Sequence, residues 1–143
     1  MDTGSITNIP NLWLDGSKIT NITFGEAVQS IGEGVLMSSK QLYSISIPAS
    51  VTHIGNNFCR YCNNLTYIYV DQANKYYFSD GFVLFDKEKT NLIKGSATIT
   101  NYTIPSSVTH IGKDAFSYSK LTSITIPSNV THIGEDAFRP DRN

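Results

Sequence analysis

The 143-residue sequence predicts a mostly β, right-handed solenoid of about five coils of 22–23 residues with a β-hairpin insertion, and three observations carry that expectation. A short motif recurs four times, as Val28-Gln29-Ser30-Ile31-Gly32, Val51-Thr52-His53-Ile54-Gly55, Val108-Thr109-His110-Ile111-Gly112 and Val130-Thr131-His132-Ile133-Gly134. Upstream of it an alternating apolar stretch recurs at a fixed offset: Ile19-x-x-Ile22-x-Phe24, Leu42-x-x-Ile45-x-Ile47-Pro48, Leu121-x-x-Ile124-x-Ile126-Pro127, and the shorter Tyr102-x-Ile104-Pro105. Only 16% of the residues are charged, below the roughly 25% of an average soluble domain. Ser, Thr and Asn fill the difference, which favours hydroxyl-lined strands over exposed helices.

Each element follows from the spacing within one repeat. The x-Ile-x-Ile alternation is a strand with one face buried, and the following Pro ends it because it cannot donate to the ladder. The Val-x-x-Ile-Gly stretch then returns two apolar side chains to the interior, with Gly serving a tight conformation or a close approach. A small-large pair, Val35-Leu36, Ala115-Phe116 or Ala137-Phe138, plugs the far side. A single coil cannot bury its apolar face alone, whereas stacked coils share one core. The 23 residues from Ile31 to Ile54 and the 22 from Ile111 to Ile133 lie in the 20 to 29 residue period of leucine-rich repeats.

Residues 1–18, with Ile6, Ile9, Leu12, Trp13 and Leu14, complete no recognisable repeat and read as an N-terminal cap or partial coil, Trp13 closing the core. Residues 19–143 form the solenoid. Val70 and Ile104 are 34 residues apart instead of 23, so about residues 71–96 are an insertion. In it Gly81-Phe82-Val83-Leu84-Phe85 and Leu92-Ile93-Lys94 flank a polar turn, the pattern of a β-hairpin. After Phe138 only Arg139-Pro140-Asp141-Arg142-Asn143 remains, so the expectation is that either further coils continue the stack in a longer protein or another molecule blocks the open apolar end.

The run from Leu121 to Phe138, Leu-Thr-Ser-Ile-Thr-Ile-Pro-Ser-Asn-Val-Thr-His-Ile-Gly-Glu-Asp-Ala-Phe, resembles the repeat of the BspA-like, or Treponema pallidum-type, leucine-rich repeat proteins. The resemblance covers about residues 19 to 139. The family's Cys, three residues before the first Leu, is met by Cys62 ahead of Leu65, while Ser39 and Tyr118 hold that place elsewhere, and Phe58-Cys59 inverts the small-large order. The insertion, with Tyr76-Tyr77, Asp80-Gly81 and Leu84-Phe85-Asp86-Lys87, is similar to insertions of the same family. What the resemblance implies is a surface-exposed or secreted interaction protein that adheres to host cells or extracellular matrix.

Composition and motifs exclude other functions. A net charge of −1 without a run of Lys or Arg supplies no footprint for nucleic acid or an anionic membrane surface. No apolar run reaches the roughly 18 residues of a membrane span, and no signal peptide opens the sequence. Cys59-Arg60-Tyr61-Cys62 has no second Cys pair to complete a zinc site, so both cysteines read as core residues. His53, His110 and His132 share one repeat position and should face solvent, with His110 and His132 about 5 Å apart as neighbours in a stack. No metal, cofactor or catalytic residue is expected, because no nucleophile with a base, carboxylate pair or phosphate loop is present. Asn21, Asn64, Asn101 and Asn129 head Asn-x-Thr triplets, which are glycan acceptors only in a secretory pathway.

The outward strand face is the expected binding surface. Alternation places Asn21 and Thr23, Ser44 and Ser46, Tyr67 and Tyr69, Asn101 and Thr103, and Ser123 and Thr125 on it, coil by coil. Tyrosine offers large contact area and a hydrogen-bonding tip at low entropic cost. The candidate ligand-binding residues are therefore Tyr67, Tyr69, Ser44, Ser46, Thr103 and Thr125, with Tyr76 and Tyr77 following in the insertion. Cross-strand aromatic packing that only steadies the sheet is the competing explanation. The partner is a host or matrix protein, a glycan, or a second copy of the chain pairing through an open coil end.

Overall fold

A computed structural model describes residues 4–140. Residues 1–3 and 141–143, the outer ends of the segments 1–18 and 19–143, lie outside the described residues. The described residues hold thirteen short strands and no helix, so no helix long and apolar enough to cross a membrane occurs among them. The alternating stretches form one parallel sheet of β2 (Asn21–Thr23), β4 (Ser44–Ile47) and β6 (Tyr67–Val70), in the register Asn21, Ser44, Tyr67. The Val-x-x-Ile-Gly motifs form a second one from β1 (Asn8–Ile9), β3 (Ser30–Ile31) and β5 (His53–Ile54). Past the insertion the same two layers resume as β10 (Asn101–Thr103) with β12 (Ser123–Thr125), and β11 (His110–Ile111) with β13 (His132–Ile133).

The solenoid has about six turns, not about five. The extra turn begins ahead of residue 19, where Ile6-Thr7-Asn8-Ile9-Pro10 occupies the register of Val28-Gln29-Ser30-Ile31-Gly32. Trp13 and Leu14 pack against the core beneath it. Proline replaces glycine there, and the packing explains why. A Cβ on Gly55 would lie 2.5 Å from the Glu33 amide, and one on Gly134 would lie 2.4 Å from the Lys113 amide, in both cases the backbone of the preceding coil. The motif glycine thus serves close approach between coils. Among the described residues no coil precedes Pro10, and its ring meets no such wall.

Between strands each coil turns twice through left-handed backbone. Leu12, Gly34, Asn57, Asp114 and Asp136 share the first such position, at φ between 57° and 64°, and Gly16, Ser38, Tyr61 and Tyr118 share the second. That equivalence corrects one alignment. Ser119, rather than Tyr118, matches Ser39 and Cys62, because its amide bonds to the Phe116 carbonyl as that of Ser39 bonds to Leu36. Ser39 Oγ and Cys62 Sγ each donate to a carbonyl of the preceding coil, at Leu14 and Leu36, so a short polar hydrogen suffices at this buried position.

The insertion is a three-stranded antiparallel meander rather than a two-stranded hairpin. β7 (Tyr77–Ser79) pairs with β8 (Val83–Asp86), and β8 with β9 (Asn91–Gly95). Periodicity missed β7 because Tyr77, Phe78 and Ser79 are all half-buried and do not alternate. The Asp86 carboxylate closes the turn, accepting from the Thr90 amide and hydroxyl at 2.8 and 2.7 Å and from the Asn91 amide and side chain at 3.1 and 2.6 Å. Burial raises its pKa, but these bonds outweigh it and hold the acid below the usual carboxylate range.

β9 then runs parallel to β11, Asn91 beside His110 and Leu92 beside Ile111, in the place a Val-x-His-Ile strand would take. β8 is buried on both faces. Leu84 points into a core built on Ile9 to Ile68, while Val83 and Phe85 point into a second core running from Leu92 to Ala137. At roughly 1.5–3 kcal/mol per fully buried large apolar side chain, this strand is a principal weld between the two halves.

A methyl group at position 55 has only backbone to push against. Gly55→Ala is expected to destabilise the fold by about 1–3 kcal/mol, read as a lower urea midpoint with an unchanged slope.

Candidate functional site

The outward strand face carries an aromatic cluster. The Tyr67 ring lies 5.7 Å from that of Tyr69 in a stack tilted by 9°, 5.3 Å from Tyr43 edge-on, and 5.6 Å from Phe82. Tyr43 and Tyr69 are each 47% exposed and Phe82 38%, so the rings form a surface patch. Ser44 and Ser46 flank it on β4, in register with Tyr67 and Tyr69, and Ser44 Oγ donates to Asn21 Oδ1 at 2.5 Å. A shallow depression lined by Thr23, Ser46, Tyr69 and the carboxylates of Glu26 and Asp71 borders the patch.

Sequence reasoning identified Tyr67 and Tyr69 and missed Tyr43 and Phe82. Tyr43 precedes its strand, outside the alternation, and Phe82 arrives from the insertion, so neither carries a repeat signal. The other expected residues do not join them. Tyr76 is exposed in a neighbouring depression that shares Glu26 and Asp71. Tyr77 is half-buried against the core, and its hydroxyl accepts the Ile54 amide at 2.9 Å. Thr103 and Thr125 are exposed as expected, but on a separate sheet.

The outward face is therefore not one continuous platform. β6 does not pair with β10; Gly81 bridges to Ile68 instead, with the Ile68 amide donating to the Gly81 carbonyl at 2.9 Å. The turn is held by Asp80, whose carboxylate accepts the Phe82 and Val83 amides at 3.0 and 2.9 Å and the Tyr102 hydroxyl at 2.5 Å. Burial and this carboxylate raise the Tyr102 phenol far above its usual range.

A second concavity lies where the insertion interrupts the stack. It is a cleft of about 530 Å³ between the turn after β5 and the turn after β11, lined by Asn57, Cys59, Arg60, Lys94, Lys113 and Asp114 among others. Arg60 Nε pairs with Asp114 Oδ2 at 3.2 Å, and the Tyr61 and Tyr118 rings meet edge-on at 5.1 Å. Lys94 is 7% exposed, and its ammonium donates to the Asp114 carbonyl at 3.1 Å.

The two cysteines are buried and unbonded to each other. Burial raises both thiols, Cys62 to about 11 and Cys59 further, with Lys94 opposing the shift. Both are therefore protonated and poor nucleophiles at neutral pH. His110 and His132 stack with centroids 4.4 Å apart and planes within 3°, as the coil register requires, and each Nδ1 bonds at 2.8 Å to the preceding threonine hydroxyl. Parallel rings point their Nε2 atoms in the same direction, side by side, so the pair does not converge on one ion. His53 lies on a separate sheet, paired with Ser30, while the other neighbour of His110 is Asn91.

A family model described as a BspA type leucine rich repeat region matches the chain in six copies, over residues 3–83 and 86–142. Solved structures share the fold. A leucine-rich repeat protein from Eubacterium ventriosum is 28% identical with a TM-score of 0.67, covering 96% of this chain and 50% of its own. The pneumococcal vaccine antigen PcpA is 24% identical with a TM-score of 0.75, covering 93% and 40%. A leucine rich cell surface protein from Faecalibacterium prausnitzii is 22% identical with a TM-score of 0.52, covering 83% and 42%. The chain thus spans half or less of these proteins. No curated protein matches it.

Two outcomes are expected. In the native protein at pH 7, Cys59 and Cys62 should resist iodoacetamide and react only in denaturant, as mass spectrometry will show; rapid native labelling would contradict their burial. Tyr77→Phe removes the acceptor of the Ile54 amide and should cost about 1 kcal/mol in urea unfolding, with the phenyl ring keeping the packing.

Proposed function

Because the chain belongs to the BspA-type leucine-rich repeat family, we propose that it is a non-catalytic binding module that holds a protein ligand, a host-cell or extracellular-matrix protein, at the cell surface or in secreted form. The observation that carries this reading is the exposed cluster of Tyr43, Tyr67, Tyr69 and Phe82. Tyrosine is enriched among the few residues that carry most of the energy at protein interfaces, since it buries a large area with few rotors to freeze. Ser44 and Ser46 add small hydrogen-bonding groups beside them, and Glu26 and Asp71 favour a partner with basic groups at its rim. Thr103, Thr125 and Tyr76 fall outside this patch, and Tyr77 serves the backbone.

A second reading rests on the turn formed by residues 121–139. Ile126 and Ile133 are 41% and 54% exposed there, and β12 and β13 each have one unpaired edge among the described residues. A further coil or a second copy of the chain would cover this face. Self-association through it predicts a mass that rises with concentration and falls back in Ile133→Lys, with an unchanged circular dichroism spectrum.

The ligand-binding reading is tested with a panel of matrix proteins and glycans, comparing the native chain with Tyr67→Ser/Tyr69→Ser. The double variant should lose at least about 2 kcal/mol of affinity for a protein ligand, a shift of more than tenfold in Kd, while remaining folded. Undiminished affinity would remove this face from the function, and binding of glycans alone would make the patch a carbohydrate platform.

A further inference from the structure

We propose that the cleft at the insertion is a second binding site, built to take a short extended peptide carrying a carboxylate, whose main chain completes the interrupted ladder between coils. The argument starts from the direction of the backbone donors. In the turns, each coil donates three alternate amides to the next: Leu12, Leu14 and Gly16 to the carbonyls of Glu33, Val35 and Met37, then Gly34, Leu36 and Ser38 to those of Asn56, Phe58 and Arg60. Beyond the insertion, Asp114, Phe116 and Tyr118 donate in the same way to Glu135, Ala137 and Arg139.

In the coil between these sets the equivalent amides are those of Asn57, Cys59 and Tyr61. They point toward the insertion and find no acceptor there among the described residues, because the meander passes through without making the return turn. The coil beyond the insertion holds the matching carbonyls of Lys113, Ala115 and Ser117; Lys113 lines the cleft, and Ala115 is used by the interrupted turn, accepting the Gly95 amide at 2.8 Å. One step earlier in the chain the same defect is repaired from within: the Ile54 amide, also deprived of a next strand, donates to the Tyr77 hydroxyl. No side chain does this for Asn57 or Cys59.

Unpaired backbone amides facing an unpaired carbonyl, that of Lys113, across a cleft are the signature of a site for strand addition. A cleft of about 530 Å³ between Asn57 and Cys59 on one side and Lys113 on the other admits a few residues of extended chain. The charge preference comes from Lys94. Its ammonium is buried, carries three donors and uses one of them, on the Asp114 carbonyl, while the buried Asp114 carboxylate has its counter-charge in Arg60, with Nε 3.2 Å from Oδ2, and accepts no hydrogen bond among the described residues. A carboxylate on the incoming peptide, from an acidic side chain or a free C-terminus, would meet the remaining donors in a charge-assisted bond. This site is distinct from the aromatic patch, and the proposal stands or falls independently of it.

The test uses the full chain labelled with nitrogen-15 and the blocked pentapeptide acetyl-Thr-Glu-Thr-Glu-Thr-amide as probe. Three further arms are the Lys-for-Glu analogue, the Glu peptide N-methylated at alternate amides, and a peptide whose one carboxylate is its C-terminus. The Glu peptide should shift the amides of Asn57, Cys59, Lys94, Lys113 and Asp114 saturably. It should also slow hydrogen exchange at Asn57 and Cys59 at least tenfold, leaving Tyr67 and Tyr69 unmoved. The Lys and N-methylated analogues should fail, and Lys94→Met should weaken binding by about tenfold, the worth of one charge-assisted bond. The C-terminal arm decides which kind of carboxylate is preferred, and binding by either supports the site. Absence of shifts at millimolar peptide, shifts confined to the tyrosine patch, or equal binding of the N-methylated peptide would overturn it. Because the N-methylated arm uses the unaltered protein, the result does not depend on how well Lys94→Met folds.

Discussion

The rest of this structure depends on one constraint: in a stack of coils a main-chain amide that is not closed into a local turn must look for its carbonyl on the coil above or below. No helix among the described residues satisfies its own backbone, so almost every ladder bond joins residues about 22 positions apart. That requirement holds the repeat length to 22 or 23 residues, the difference of one being absorbed in the turns while the strands stay in register. It also explains the motif glycine, whose missing side chain lets adjacent backbones close to bonding distance, and the left-handed residues that recur at the same two points of each turn. The apolar core follows from the same arrangement, since register that aligns amides also aligns Ile with Ile.

The insertion is where the constraint is broken and mended. β9 restores one layer by supplying a strand in register with β11. The Tyr77 hydroxyl and the Gly81 carbonyl satisfy single amides on the two sheets that end there. Asn74, fully buried, makes a similar repair at the turn that leads in: its side chain donates to the carbonyls of Pro48 and Val51 and accepts the amides of Tyr76 and Tyr77. The outward face becomes two short sheets, and its aromatic patch lies at the end of the first. Phe82 reaches the patch because the chain turns outward at Asp80-Gly81 before entering β8.

Much of the fold was legible because a repeat multiplies its own signal. Each apolar position is read several times over, so the strand alternation, the inward Val and Ile and the stacked histidines followed from spacing. Legibility failed where the repeat was used once. The first turn was hidden by Pro10, which stands where the other coils carry the motif glycine and where no preceding coil among the described residues crowds it. β7 was hidden because its three residues are half-buried on both sides. Of the aromatic patch, only Tyr67 and Tyr69 were legible, because they sit on the alternation. Tyr43 and Phe82 join it through tertiary position, and the bond of the Tyr77 hydroxyl to the Ile54 amide is a contact that spacing does not reveal.

The meander has a consequence for how such a chain assembles. Pairing between successive coils closes loops of about 22 residues, whereas β8 and β9 meet across the four residues Lys87–Thr90 and β7 and β8 across a turn of comparable size. Loop closure is cheapest for the nearest partners, and local pairings form first in general. The meander is thus the least costly nucleus in the molecule, and β8 exposes an apolar surface for each of the two half-cores to condense upon. Growth would proceed outward from the middle toward both termini, reversing the end-to-end order that a plain stack of identical coils invites, and the largest φ-values would then fall at Val83–Phe85.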